Sequence, residues 1–246
     1  MIAGAAGPLW PVCLSWSITR RGEDVVGRPR WKFAALPIGL CLFALSLACS
    51  DKSTPAAPTA PSATGATLPG LDEMLADKVL GGGAAPVTII EYSSLTCPHC
   101  ASFHTTTLPQ IKTAYIDPGK AKLVYRDFPI GAAATSAAMV ARCSGNKFFD
   151  LIDLLYRTQS TWAGSSDTTS ALKGVVAQAG LSSALVDTCL ADTGLRNGIA
   201  SIQSTAETKY GVDATPTFIF NEQQTLEGAW PFSKFDEILK ALLPSP

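Results

Sequence analysis

The sequence predicts an α/β protein in which a long helical insertion interrupts the sheet-forming segments. Residues 86–92 and 122–128 are rich in β-branched and apolar residues, and a helical segment separates them. Residues 132–208 contain alanine-rich and amphipathic stretches with almost no strand signal. Two short strand-like segments and a helix follow. This order predicts one α/β core with helices inserted between its second and third strands.

Each element has a local reason. The buried strand at 86–92 follows a run of three glycines, and the strand at 122–128 ends before Pro129. The helix at 98–115 begins with Pro98 and should kink at Pro109, which has no amide hydrogen to donate. The remaining predictions are helices at 133–143, 147–156, 169–179, 182–191 and 195–210, a hairpin of strands 217–220 and 224–227, and a helix at 233–243.

Composition narrows the classes of function. The chain has 246 residues, 47% of them hydrophobic, which is enough to bury a core and excludes a disordered protein. Its net charge of -1 provides no basic field for a phosphate backbone, so nucleic acid is not expected as a partner. Seven cysteines occur with only two histidines and no second CxxC pair, which makes a zinc site difficult to build.

The N-terminal region resembles a bacterial export signal. Basic residues precede the uncharged apolar run 33–48, which is shorter than the about 20 residues needed to span a membrane. The run ends in a small residue followed by Cys49, as in the lipobox at which lipoproteins are cleaved and lipidated. A plain cleaved signal and an uncleaved anchor are the alternatives. Residues 1–27 fit a signal poorly, so translation could start at Val25 or Val26.

These features divide the chain into five segments. Residues 1–48 form the signal segment, with its start in question. Residues 49–70, mostly Ser, Thr, Ala, Pro and Gly, cannot bury enough surface to order themselves and are predicted to be a flexible tether. The core comprises residues 71–131 and 210–246, and the helical insertion comprises residues 132–209.

The main chemical signal is Cys97-Pro98-His99-Cys100 directly after a strand. Pro98 suits the first position of a helix, which places Cys97 at the N-cap facing free amides and the positive end of the helix dipole. That environment favours the thiolate, which is the attacking species. His99 can add a positive charge or a donor. Cys100, one turn further in, can resolve a mixed disulfide formed at Cys97.

A stabilised Cys97 thiolate also stabilises the reduced protein. Each unit by which its pKa falls corresponds to about 1.4 kcal/mol, or roughly 30 mV of two-electron potential. The pair should therefore accept electrons and donate its disulfide to substrate thiols. The alternatives are a structural disulfide, or a site in which Cys97, His99 and Cys100 bind Cu(I) or zinc.

Together with the strand before it, the helical insertion and the segment 211–219, this motif resembles the DsbA-type thiol:disulfide oxidoreductases, which have a thioredoxin-like fold with a helical insertion domain. The resemblance covers about residues 71–246. It implies that Thr215-Pro216 is the cis-proline loop next to the active-site disulfide, where the Thr215 backbone can pair with an extended substrate. It further implies unfolded or reduced substrate proteins, a membrane reoxidant of the DsbB type, a periplasmic or envelope location, and no cofactor or metal.

Two further sets of residues carry expectations. Glu91 occupies the place of an acidic residue in the family, where it could exchange a proton with Cys100; alternatively it is a surface residue paired with Lys122 or Arg126. His104 is expected at the helix surface or in packing.

Cys143 and Cys189 fall in the helical insertion, and in an oxidising compartment they should form a structural disulfide, or else stay separate buried thiols. Within the same enzyme class, an isomerase or reductase is the nearest rival function. The isomerases of this superfamily are dimers that carry a separate dimerisation domain, and residues 71–86 are too few to form such a domain.

Overall fold

The computed structural model describes residues 68–244 and contains a five-stranded sheet in the order β1-β3-β2-β4-β5. The central pair, β2 and β3, is parallel, and the other neighbours are antiparallel. The predicted signal segment and residues 49–67 of the predicted tether lie outside the described residues. The strands are β1 (Lys78–Leu80), β2 (Val87–Ser93), β3 (Ala121–Asp127), β4 (Thr217–Phe220) and β5 (Gln224–Glu227).

Four of these strands match the predicted strands within one residue, and the β4–β5 hairpin is confirmed. The edge strand β1 was not predicted. It has only three residues, none fully buried, and it pairs with β3 alone, so it has neither the length nor the apolar pattern of a strand signal. The short helix α1 (Leu71–Leu75) was missed for a similar reason, since five residues are too few to show a helical period.

The predicted helix at 98–115 is a continuous helical run that contains two π turns. Leu108 donates its amide hydrogen to the carbonyl of Phe103, five residues earlier, just before Pro109. Single π turns are often found near functional sites. The run consists of α2 (Pro98–Ser102), a π turn (Phe103–Thr107), α3 (Leu108–Ile111) and a second π turn (Lys112–Ile116).

The segment between β3 and β4 is helical, and it packs against α2. Its buried side chains form one apolar cluster with Cys97 and Cys100, which includes Leu155, Tyr156 and Trp162. The active-site cysteines therefore rest on the insertion as well as on the sheet. The helices are α4 (Gly131–Arg142), α5 (Phe148–Arg157), α6 (Gln159–Trp162), α7 (Thr168–Val176), α8 (Ser183–Ala191) and α9 (Thr193–Tyr210).

Helix α9 covers one face of the sheet, and the last helix covers the other face together with the helical run that follows the CxxC motif. Helix α9 ends at Gly211, whose φ of 66° lies in the left-handed region that a side chain would disfavour. The last helix, α10 (Phe232–Leu242), packs Phe235 against Phe103 and Phe218. This second cluster of aromatic and aliphatic side chains anchors the helical run that follows the CxxC motif.

A buried arginine joins the N-terminal end of the described chain to the insertion, and a disulfide joins two segments of the insertion itself. Arg142 pairs with Asp127, both about 1% exposed, and donates to the carbonyl oxygens of Met74 and Ala76. Next to it, Cys143 and Cys189 form a disulfide with their Cα atoms 6.3 Å apart.

No helix within residues 68–244 has the length and apolar character required to cross a bilayer.

Candidate active site

Cys97 lies at the N-cap of α2, as the sequence predicts. Its backbone is extended, Pro98 follows in the first turn, and its Sγ atom accepts a hydrogen bond from the Cys100 amide at 3.4 Å. Pro98 and His99 are exposed, whereas Cys100 is fully buried. Both cysteines are free thiols in the structure.

The surroundings of Cys97 favour its thiolate. Its pKa falls from 9.0 to about 5, chiefly because the Cys100 thiol donates a hydrogen bond to the sulfur. The Thr215 side chain and the backbone amides of Cys100 and His99 act in the same direction, against the effect of burial. His99 contributes a donor, one of the two expectations for it, and this donor is its backbone amide.

Cys100 has the opposite environment. Burial raises its pKa well above the ordinary range, and its hydrogen bond to Cys97 raises it further. The Ser93 hydroxyl opposes this effect. The two sulfurs therefore hold one thiolate and one thiol, with the negative charge on the outer sulfur.

The loop before β4 faces Cys97. The Thr215–Pro216 peptide bond is cis. Cys97 Sγ lies 3.3 Å from the carbonyl oxygen of Thr215. The Pro216 carbonyl accepts a hydrogen bond from Gly228 at 2.8 Å, which ties the loop to the end of β5.

The helical insertion holds the other side of the CxxC loop. Gln159, at the start of α6, donates its side-chain amide to the carbonyl oxygens of Leu95 and Cys97 at 2.8 Å and 3.0 Å. Sequence analysis did not identify Gln159, because nothing in the pattern of α6 indicates a contact with a loop more than sixty positions earlier.

Glu91 is fully buried and pairs with His104. The Nε2 atom of His104 lies 2.9 Å and 3.1 Å from the two carboxylate oxygens of Glu91, and His104 is 4% exposed. The alternative of a surface Glu91 paired with Lys122 or Arg126 is wrong, since Arg126 pairs with Asp77 instead. His104 is a packing residue, one of the two expectations for it, and the structure adds its hydrogen bond to Glu91. We call these two residues the buried pair.

A set of hydroxyl groups connects this region to Cys100. The Tyr156 hydroxyl lies 2.8 Å from the Ser93 hydroxyl and 3.1 Å from that of Tyr125, and all three side chains are buried. We call these three residues the hydroxyl chain. Alternation from Glu91 along β2 could have indicated Ser93, but Tyr156 belongs to the insertion and has no sequence signal.

The arrangement gives no support to a metal centre. Within residues 68–244, no three side chains of His, Cys, Asp or Glu are close enough together to hold a metal ion. The CxxC cysteines share one helix turn, while His99 is exposed. The predicted alternative of copper or zinc bound by Cys97, His99 and Cys100 therefore lacks the geometry it needs.

Comparison with known proteins agrees with this geometry. A family model described as thioredoxin matches residues 74–241. The solved structure of α-DsbA1 from Wolbachia pipientis is 30% identical, with a TM-score of 0.62 over 68% of this chain and 90% of that one. BdbD from Bacillus subtilis, at 21% identity, has a TM-score of 0.61 over 71% of this chain and 95% of its own, which shows a shared fold.

Two curated relatives come from Rickettsia bellii and Rickettsia typhi, and their names class them as protein-disulfide oxidoreductases. They are 30% and 34% identical to this chain over 61% of its length. The chain spans 58% and 56% of their lengths, which is just over half. The family match covers more than half of this chain, and the Wolbachia structure is matched over nine tenths of its length. The chain therefore belongs to the thioredoxin family and, within it, to the DsbA-type proteins.

Proposed function

We propose that the protein is an exported thiol:disulfide oxidoreductase that donates a Cys97–Cys100 disulfide to the thiols of unfolded or reduced substrate proteins. One observation carries the proposal: Cys97 lies at the N-cap of α2, where its sulfur accepts a hydrogen bond from the Cys100 amide, while Cys100 is fully buried. This geometry favours a thiolate at the outer sulfur and a thiol at the inner one. This difference stabilises the reduced form, so the disulfide form accepts electrons readily.

The reaction follows from the positions of the two sulfurs. A substrate thiolate attacks Cys97 Sγ, the Cys97–Cys100 bond breaks, and Cys100 leaves with the electron pair and takes up a proton. A second substrate thiolate then attacks the substrate sulfur of the mixed disulfide, and Cys97 leaves as its stabilised thiolate. The substrate is oxidised by two electrons and the protein is reduced. Because Cys97 is the better leaving group, the second step favours release of the oxidised substrate.

Substrate binding is proposed at the Thr215–Pro216 loop. The loop lies against Cys97, and an extended substrate can form hydrogen bonds with the Thr215 backbone there. Ile130 adds an apolar contact, since its side chain is 57% exposed and its amide is held by Ser94, close to the active-site loop. Both features suit an unfolded chain with an apolar residue near its cysteine.

Glu91 is proposed to exchange the proton that Cys100 gains and loses in each cycle. Its burial and its position on β2, two residues before Ser93, support this role. The donated disulfide must be restored, and a membrane reoxidant of the DsbB type would do so. The apolar run before Cys49 and the tether after it support export and lipid attachment at Cys49, with the domain at the envelope.

Three measurements test the proposal, and the first of them tests the direction of exchange. The equilibrium of purified protein with glutathione gives the potential of the Cys97–Cys100 pair, and we expect an oxidising value far above that of a cytosolic reductant. A potential near that of thioredoxin, roughly -270 mV, would contradict donation and favour the reductase alternative. In cells, Cys100→Ser should trap substrates on Cys97, and the mass of mature protein should include lipid on Cys49.

A further inference from the structure

The buried pair contacts the hydroxyl chain directly. Glu91 on β2 and Tyr125 on β3 are register partners in the parallel pair of strands. The imidazole of His104 stacks on the Tyr156 ring, with 4.3 Å between centroids and 23° between planes, and it meets the Tyr125 ring at an angle. A carboxylate, an imidazole and two phenols are thus packed together in the interior, next to the inner cysteine.

The hydroxyl chain leads from this cluster to Cys100. Tyr156 and Ser93 are within hydrogen-bond distance, and the Ser93 hydroxyl favours the Cys100 thiolate, which acts against the effect of burial on the Cys100 pKa. Burial is the main cause that raises the pKa of both tyrosines, and the charge of Glu91 adds to it. The phenols therefore stay protonated, and they can donate one hydrogen bond while accepting another. Such groups pass a proton on without keeping a charge.

The opposite end of the cluster opens outward. His104 forms part of the wall of a cavity of about 320 Å³ between the helical run and α5. The other charged or titratable groups that face His104 or this cavity come from several elements: Glu91, Tyr125, Tyr156, Cys100, Lys112, Asp150, Asp153 and Arg157. His104 is the member of the buried pair that reaches a space continuous with solvent.

We propose that the hydroxyl chain and the buried pair form the proton path of Cys100, and that this path reaches solvent at His104. The inference rests on the proposed function and specifies how the inner cysteine is served. Imidazole is suited to the task, since one ring nitrogen can accept a proton while the other donates one. His104 does not touch the reacting sulfurs, so it acts as a positioning and proton-holding residue for Glu91.

The step concerned can be isolated with glutathione. When the reduced protein meets oxidised glutathione, the Cys97 thiolate attacks one glutathione sulfur and expels the other glutathione as a thiolate. In the second step Cys100 gives its proton to the path, its sulfur attacks Cys97 Sγ, and the remaining glutathione leaves as a thiolate with the electron pair. The first step needs only Cys97, whereas the second needs deprotonated Cys100.

The test measures both rates by acid quenching, alkylation and mass spectrometry, in wild type and in the variants His104→Gln and Tyr156→Phe. Gln keeps a hydrogen bond to Glu91 but cannot hold a proton, and Phe keeps the stacked ring without its hydroxyl. We expect an unchanged first step and a second step slowed by about 100-fold in H104Q. Y156F should slow the second step as well. Tyr115→Phe is the matched control for Y156F. The Tyr115 hydroxyl lies in the helical run that carries His104, but it bonds to Asp236 and should affect neither step.

The pH profile separates proton transfer from packing. In wild type the rate of the second step should reach a plateau before about pH 8. In H104Q that rate should keep rising, about tenfold per pH unit from about pH 5 to pH 8, as expected when hydroxide replaces the lost base. A second step in H104Q with the wild-type rate and profile would overturn the role of His104, and unchanged kinetics in Y156F would overturn the hydroxyl path. Failure of the first step in wild type would instead contradict the proposed function itself.

Discussion

Thr215 offers Cys97 a partner in each of its protonation states. As a thiol, Cys97 donates to the Thr215 carbonyl oxygen, 3.3 Å away. The hydroxyl of the same residue is buried and makes no hydrogen bond in the thiol arrangement, but it stabilises the thiolate and lowers the Cys97 pKa. Thr215 therefore presents both an acceptor and a donor to the Cys97 sulfur.

Thr215→Val should make the protein a weaker oxidant. Valine has the shape of threonine without the hydroxyl, so the Cys97 thiolate loses one donor. A hydrogen bond to a charged group contributes about 1.5–3 kcal/mol, which corresponds to a fall of roughly 30–60 mV in potential. Equilibration with glutathione measures the change. Thr208→Val, on the exposed side of α9, is the control, and equal potentials in the two variants would contradict the role of the hydroxyl.

The reduced protein should become more stable as pH rises from about 5 to about 9. The Cys97 pKa is depressed in the folded state, so the unfolded chain binds more protons in this window and folding is favoured as pH rises. The stabilisation is lost again as pH falls through the folded pKa of about 5. Cys100 stays protonated in both states below about pH 9 and does not offset the gain.

Urea unfolding of reduced wild type and reduced Cys97→Ser across this range checks the expectation. Wild type should gain on the order of 2 kcal/mol over the serine variant, a figure reduced to allow for solvent screening. If the free energies of unfolding of the two proteins changed with pH in parallel, the thiolate would contribute nothing to folding.

Arg142→Met should lower the free energy of unfolding by about 3–5 kcal/mol, because Asp127 is left as a buried charge with its partner removed. The carbonyl oxygens of Met74 and Ala76 lose their donor as well. Arg157→Met removes the exposed pair with Asp153 and should cost less than about 1 kcal/mol. Denaturant titration of both variants tests the difference, and similar costs would mean that burial of the Arg142 pair is unimportant.

Replacing both Cys143 and Cys189 by Ala should destabilise the protein without altering its redox chemistry. The disulfide closes a loop across a sequence separation of 46 residues, and chain-entropy reasoning assigns such a loop about 4 kcal/mol. The potential of the Cys97–Cys100 pair should stay the same, because these cysteines lie in a different apolar cluster. A shifted potential at unchanged stability would show that the Cys143–Cys189 disulfide affects the redox pair and does not stabilise the fold.

The sequence could predict those parts of the site that lie close together along the chain. The N-cap position of Cys97 follows from the order strand, CxxC, proline and helix, and each of these has a local signal. Glu91 could be placed on the strand before the motif for the same reason. Its partner could not be identified, because His104 lies 13 residues later, and only the packing of the helical run against β2 brings the two side chains together.

The contribution of the insertion was beyond prediction. Tyr156 and Gln159 reach the active site only after α5 and α6 have folded back on the helical run. Periodicity assigns Tyr156 to a buried face without saying what that face meets. Likewise β1 depends on pairing with a strand forty residues later, and no local pattern encodes that contact.

The two apolar clusters meet at the active site, and this has a mechanical consequence. Cys97 and Cys100 belong to the cluster built on the insertion, whereas Phe218, just after the Thr215–Pro216 loop, belongs to the cluster beneath α10. The contact between Cys97 Sγ and the Thr215 carbonyl oxygen therefore joins the two clusters. A substitution that loosens the packing of either cluster should therefore change the distance from Cys97 to Thr215, even where the substituted residue touches neither of them.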